Sequence, residues 1–418
     1  MALRRARSLS CLLAGLLLAA AGWGQPLPGT QVDPPNDRLQ EKQRGSLKVS
    51  VAVPSAEETR QIFGVDLYAD NVQPVWVEVV NGSDEFRFLT PMGMDPGYYS
   101  AREAMSRSRE SGGESADEQL ERRSINRVVV PPQSTRSGYI FTRVDEGTKS
   151  FNVDVVGGSE PYRMSFFVPV PGLKLDHYEV DLQGLYPADQ RRELELPALV
   201  AALEQFPCCV RDASGEDRGD PLNLVLVGEI SDLYYAFMRA GWDETETIYG
   251  SSLLKTAASA IGGERYRYSP VSALYVFGRP QDVALQRARS SINERNHLRI
   301  WLTPLVHEGK PVWIGQISRD IGVHFTWRTI TTHKIDPDVD ETREFLLEDM
   351  GYSQSLVQFG YVGGVGAAAY DEPRGNLTGD PYFTDGRRMV MWLSGSPTAL
   401  DEIVPLDLSP YATGRIGD

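Results

Sequence analysis

Arg295-Asn296-His297-Leu298-Arg299-Ile300-Trp301-Leu302-Thr303-Pro304-Leu305-Val306 is followed by His307-Glu308-Gly309-Lys310, and then by Pro311-Val312-Trp313-Ile314-Gly315-Gln316-Ile317-Ser318-Arg319-Asp320. Two long runs rich in β-branched and aromatic residues flank a short polar turn containing glycine, the pattern of a β-hairpin. With a loop of two or four residues, Val306 pairs with Pro311, His297 faces Asp320, Arg299 faces Ser318 and Trp301 faces Gln316. Alternation places Arg295, His297, Arg299, Ser318, Asp320 and His324 on one face of the sheet, and Leu298, Ile300, Leu302, Gly315 and Ile317 on the core-facing side. A carboxylate opposite a histidine fixes its tautomer and raises its basicity, as a general base or metal ligand requires. The plainer reading is a cross-strand ion pair on a solvated face.

The surrounding pattern is that of an α+β domain with a mixed sheet, residues 215–395. Upstream, Leu222 to Gly228 is a nearly continuous apolar run, expected of a strand buried on both faces. Ser231 is placed to cap a helix from Asp232 to Gly241. A second apolar run, Ala273 to Gly278, leads through Arg279-Pro280 into a polar helix, Gln281 to Ser290. Downstream come a strand around Phe325 to Ile330, a helix from Asp340 to Met350 and a closing strand, Arg388 to Leu393. The stretch Thr332-His333-Lys334-Ile335-Asp336-Pro337-Asp338-Val339-Asp340 sets aspartates at alternate positions before that helix. It lacks the glycine and the terminal glutamate of an EF-hand, yet His333 with Asp336 has the ligand chemistry to hold a divalent cation. Helix capping by Asp338 or Asp340, favoured here for Asp340, with Asp336-Pro337 fixing the turn, accounts for the aspartates without any ligand.

The N-terminal half is different in kind. Val65–Tyr68, Pro74–Val80, Phe86–Leu89, Asn126–Val130, Ser137–Arg143, Lys149–Val155 and Met164–Val170 are short strand-like runs separated by turn residues. They predict an all-β immunoglobulin-like sandwich over residues 46–170, interrupted by a charged helical insertion at 101–124. Residues 171–214 read as a connector carrying a short helix, Glu193 to Gln205, and residues 396–418 as a tail. Residues 25–45 are rich in proline and polar groups, a flexible linker. Before them, Arg4, Arg5 and Arg7 precede an apolar run from Leu9 to Ala21 and small residues at Gly22 and Gly24, the layout of a signal peptide spanning 1–24. The expected location is therefore periplasmic or secreted, or anchored if that segment is not cleaved, with no transmembrane span after its removal.

Composition narrows the partners. Fifty-seven acidic and 42 basic side chains give a formal charge of −15, or −18 without the three leader arginines. Such a surface repels phosphate backbones, so nucleic acid is not an expected partner. Beyond the leader the only cysteines are Cys208 and Cys209. Adjacent Cα atoms lie about 3.8 Å apart, closer than a disulfide usually allows, which favours two buried thiols over a bridge. No Gly-x-Ser-x-Gly elbow occurs, and Gly363-Gly364-Val365-Gly366 lacks the Lys-Ser/Thr pair of a phosphate loop.

Several stretches together resemble the LssY C-terminal domain family over about residues 205–395: Asp220 to Gly228, Tyr275 to Asp282, Arg295 to Trp301, Ser318-Arg319-Asp320 and His333 to Arg343. The family is poorly characterised, so the resemblance implies a domain type and not a substrate. Its motifs coincide with the polar clusters above. Arg279, Arg295 and Arg299 are the candidate ligand-binding residues, since guanidinium forks match phosphate and carboxylate. His297, Asp320 and His333 are the candidate catalytic residues, and His333 with Asp336 the candidate metal ligands. Two functions follow: an accessory or ligand-binding protein of the cell envelope that accepts a small anionic ligand or an envelope protein partner, or a metal- or His/Asp-dependent hydrolase acting on a phosphoester. The sequence leaves the cofactor unknown.

Overall fold

The computed structural model describes residues 32–108, 114–125, 128–145, 148–158, 162–170, 182, 184–244, 273–288, 295–324 and 332–413. The expected signal peptide, the strand at 325–330 and most of the connector before residue 184 lie outside the described residues.

Eight strands build the N-terminal part: β1 (Gln40–Arg44), β2 (Leu47–Ala52), β3 (Val72–Asn81), β4 (Arg87–Thr90), β5 (Val129–Val130), β6 (Ser134–Arg143), β7 (Thr148–Val156) and β8 (Tyr162–Pro169). They form two four-stranded antiparallel sheets, β1-β2-β3-β6 and β5-β4-β7-β8. Alternate residues of both sheets, among them Val49, Val51, Val75, Val77, Val153, Val155, Phe166 and Val168, share one core. The region is not purely β, however. Trp76, Tyr139 and Phe141, on the other face of the first sheet, are buried under α1 (Ala56–Phe63), α2 (Ala101–Arg107) and α3 (Glu114–Arg123). Val65–Tyr68, expected as a strand, is instead a turn-rich segment whose Val65 and Leu67 belong to that helical layer. The linker also ends earlier than expected, because Gln40–Arg44 is zipped onto β2.

The C-terminal part is α+β around a curled mixed sheet. Its elements run β9 (Arg192–Glu193), α4 (Leu196–Glu204), β10 (Cys209–Arg211), β11 (Arg218–Pro221), β12 (Leu224–Val227), α5 (Ile230–Arg239), β13 (Asp243–Glu244), β14 (Tyr275–Val276), β15 (Arg279–Pro280) and β16 (Val283–Ala288). There follow β17 (Arg295–His307), β18 (Lys310–His324), β19 (Thr332–Ile335), α6 (Val339–Tyr352), β20 (Leu356–Val362), β21 (Arg374–Gly375), β22 (Pro381–Tyr382), β23 (Arg388–Leu393) and β24 (Val404–Pro405). The main sheet has the order β13-β16-β17-β18-β12-β23-β20-β24, with β9 and β19 added on β17 and β18. One face packs Leu298, Ile300, Leu302 and Ile317 against α5 and α6. On the other, α4 buries Leu199, Val200 and Leu203, and the small sheet β11-β10-β14-β15 covers Trp301 and Ile314.

Five expectations are corrected here. Gln281–Ser290 contains strand β16 and not a helix, because Val283 to Ala288 pairs residue by residue with β17 and its Val283 and Leu285 enter the core. Arg388–Leu393 is a strand as read, but a central one, parallel to β12, so it does not close the sheet. Glu229, not Ser231, is the N-cap of α5, and Asp338, not Asp340, caps α6 by accepting from the Asp340 and Glu341 amides. Cys208 and Cys209 are joined in a disulfide.

Candidate functional site

The hairpin turn is Glu308-Gly309, both with positive φ, and Val306 pairs with Pro311 as expected. Beyond it β17 bulges between Leu302 and Val306. Pro304 has no N–H to give to the ladder, and Thr303 fills in: its Oγ1 donates to the Val312 carbonyl at 2.7 Å and accepts from the Leu305 amide at 3.1 Å. The bulge moves the partners by two residues. His297 therefore stands opposite Ser318, Arg299 opposite Gln316 and Trp301 opposite Ile314, which corrects the expected register. A shift of two keeps the parity, so both faces survive as read.

On the polar face the rows are Gln286–His297–Ser318 and Ala284–Arg299–Gln316. His297 reaches diagonally to Asp320, with Nε2 2.6 Å from Oδ2. Arg295 Nη1 donates to Gln286 Oε1 at 3.0 Å, and its Nε lies 3.8 Å from Asp320 Oδ2. Arg299 Nη1 donates to Gln316 Oε1 at 2.9 Å. All of these side chains are buried. The Asp220 carboxyl, on β11, joins them electrostatically, for it acts on Arg299 and feels both Arg299 and Asp320. The structure thus brings together Arg295, His297, Arg299 and Asp320, and adds Asp220, Gln286 and Gln316. His324 ends β18, and its side chain lies outside the described residues.

Burial dominates the electrostatics of the cluster. It pulls His297 down to about 4, against the pull of Asp320 and with the help of Arg295, so the imidazole is neutral near pH 7. Neutral imidazole that donates from Nε2 to Asp320 carries its lone pair on Nδ1. Burial also lowers Arg299 to about 10, with Asp220 and Asp320 opposing. Asp220 is raised by burial, while Asn376 and Arg299 hold it down. Among the described residues, three buried polar atoms of this cluster have no hydrogen-bond partner: Arg299 Nε, Gln316 Nε2 and Asp220 Oδ1. Left so, each would forfeit on the order of 1–3 kcal/mol, which a ligand or water returns.

Other candidates lie elsewhere. Arg279 sits beside Leu302 of β17, where Asp282 grips it twice, at 3.0 and 2.9 Å, and where it also donates to Tyr186 Oη and the Leu302 carbonyl. Its donors are used in holding the β15–β16 corner. Asp336 accepts from the Asp338 amide at 3.1 Å and faces Arg319 at 3.9 Å. The backbone of His333 pairs with Val323, and its side chain lies outside the described residues. Among the described residues no three His, Cys, Asp or Glu side chains gather as a metal-ligand group.

Residues 202–387 match the model of the LssY C-terminus family. This part of the chain is similar to that family. The match encloses Asp220, β16 and the whole β17–β18 hairpin, so the buried polar cluster belongs to the matched part and not to the N-terminal sheets. No curated protein matches the chain. Sequence reading missed Asp220, Gln286 and Gln316 as members of the cluster. Asp220 carried a usable signal, a carboxylate two residues before a doubly buried apolar run. Gln286 was hidden by the helix assigned to its segment.

Proposed function

We propose that this chain is an accessory, ligand-binding protein of the cell envelope whose LssY-like C-terminal domain accepts a small anion on the polar face of β16, β17 and β18. One observation carries this reading: Arg299 Nε and Gln316 Nε2 are buried donors with no partner among the described residues. A buried guanidinium and amide with N–H groups to spare suit a small oxyanion. Arg279 drops out of the proposed site, because Asp282 already satisfies it. The leader-like residues 1–24 support export, the two sheets around one core support a sandwich of immunoglobulin-like type, and the separate cores support division near residues 171–214.

The second reading, a phosphoester hydrolase, draws on a different observation, the 2.6 Å contact between a neutral His297 and Asp320. There His297 would take a proton from water while Asp320 orients it. Isothermal titration of the full chain with small oxyanions separates the two. Micromolar-to-millimolar binding that Arg299→Gln weakens at least tenfold, with no turnover of phosphoesters, is the result expected. Turnover that His297→Asn abolishes while binding persists would install the hydrolase, and absence of any binding or turnover would end both.

A further inference from the structure

The anion reading leaves open which oxyanion is taken, and the third orphaned atom addresses that. Arg299 Nε and Gln316 Nε2 are donors, but Asp220 Oδ1, likewise buried without a partner on a carboxyl that feels the charge of Arg299, is an acceptor if the carboxyl is ionised. A bare carboxylate beside an oxyanion repels it unless a proton lies between the two oxygens. The other acidic member cannot take this place, since Asp320 Oδ2 is already bonded to His297 and lies beside Arg295. Nor does the Arg299–Gln316 pair: Gln316 Oε1 is fixed as the acceptor of Arg299 Nη1, which turns its NH2 away.

The geometry points to Asp220 as the residue that selects the ligand, admitting an oxyanion that can carry a proton near neutral pH. That class is the phosphoryl group, free or esterified, and it excludes sulfate. Phosphate monoesters take up their second proton near pH 6, so a shared P–O–H···O contact with Asp220 is available to them, while sulfate brings no proton. Burial adds support by raising the proton affinity of Asp220, with Asp320 and Asp380 acting in the same sense. From the β21–β22 hairpin, Asn376 acts on the Asp220 carboxyl and Tyr382 feels its charge. The inference rests on the anion-binding reading of the same face.

The test is titration calorimetry of the full chain with inorganic phosphate, glycerol 3-phosphate and sulfate at matched ionic strength. Phosphate or glycerol 3-phosphate should bind roughly ten to a hundred times more tightly than sulfate, the size expected of one charge-assisted hydrogen bond. Preference for the free ion or for the ester tells which source the site serves. Asp220→Asn, whose amide offers a donor in the same place, should close the gap by strengthening sulfate. Equal binding of phosphate and sulfate by the natural protein, a comparison that needs no variant, would overturn the role of Asp220 while leaving the anion site standing. So would an unchanged preference in a folded Asp220→Asn protein. Absence of binding by all three would overturn the anion site itself.

Discussion

Arg388 and Arg299 lie on strands of the same sheet, both buried, and burial pulls both from the ordinary arginine value to about 10. Their surroundings differ in kind. Arg388 donates to the Leu222, Phe206, Pro207 and Gly364 carbonyls at 2.9, 3.0, 2.6 and 3.3 Å, and to that of Leu203. It ties the end of α4 to the strands beside it. Gly364, at φ +105°, makes this possible, since a Cβ there would come 2.5 Å from Arg388 Nη1. Arg299 has one side-chain acceptor, Gln316, and keeps its Nε in reserve. Proton affinity reports burial, which the two share. Completion of the hydrogen bonds separates the arginine that braces the fold from the one with a donor to spare, the donor proposed above to meet the anion.

That contrast predicts an order of effects. Arg388→Met should cost about 3–5 kcal/mol in denaturant unfolding, because it strands several buried carbonyls at once. Arg299→Met should cost clearly less and abolish oxyanion binding; the reverse order of stability losses would break the comparison. The pH dependence of His297 is next in size. Its folded value, about 4, lies below the ordinary 6.5, so the unfolded chain binds more protons between these values and stability falls as pH drops through that window. The contribution is on the order of 3 kcal/mol. A His297→Asn variant should lose that much less stability between neutral and acid pH; parallel curves for the two proteins would remove the neutral buried imidazole from the account. The smallest effect sharpens the Arg388 side. Among the described residues, Glu204 is the acid that raises Arg388. If carbonyls hold the guanidinium, Glu204→Gln costs under about 1 kcal/mol. A loss matching that of Arg388→Met would show the carboxylate to be the true partner.

Much of the C-terminal architecture could be read from local pattern. Apolar runs gave β12 and β23, alternation gave the two faces of β17 and β18, and the Glu308-Gly309 turn set their pairing at the loop end. What escaped depended on distant partners. Val283 to Ala288 has a helix-tolerant composition, and only the long free edge of β17 makes it a strand. The bulge at Thr303-Pro304 went unread, because the register shift depends on how Thr303 replaces the N–H that Pro304 lacks. Asp220 reaches the polar face through the packing of a separate small sheet on Trp301 and Ile314, which no spacing along the chain reveals. In the N-terminal part, the helices that cover Trp76 on the outer face of the first sheet lie in other segments, so the local pattern of β3 did not reveal them.

The most direct measurement is a crystal structure of the full chain grown without sulfate and soaked in phosphate. The account predicts tetrahedral density within hydrogen-bond distance of Arg299 Nε, Gln316 Nε2 and the Asp220 carboxyl. Ordered water alone at those three atoms, with phosphate in excess, would contradict it.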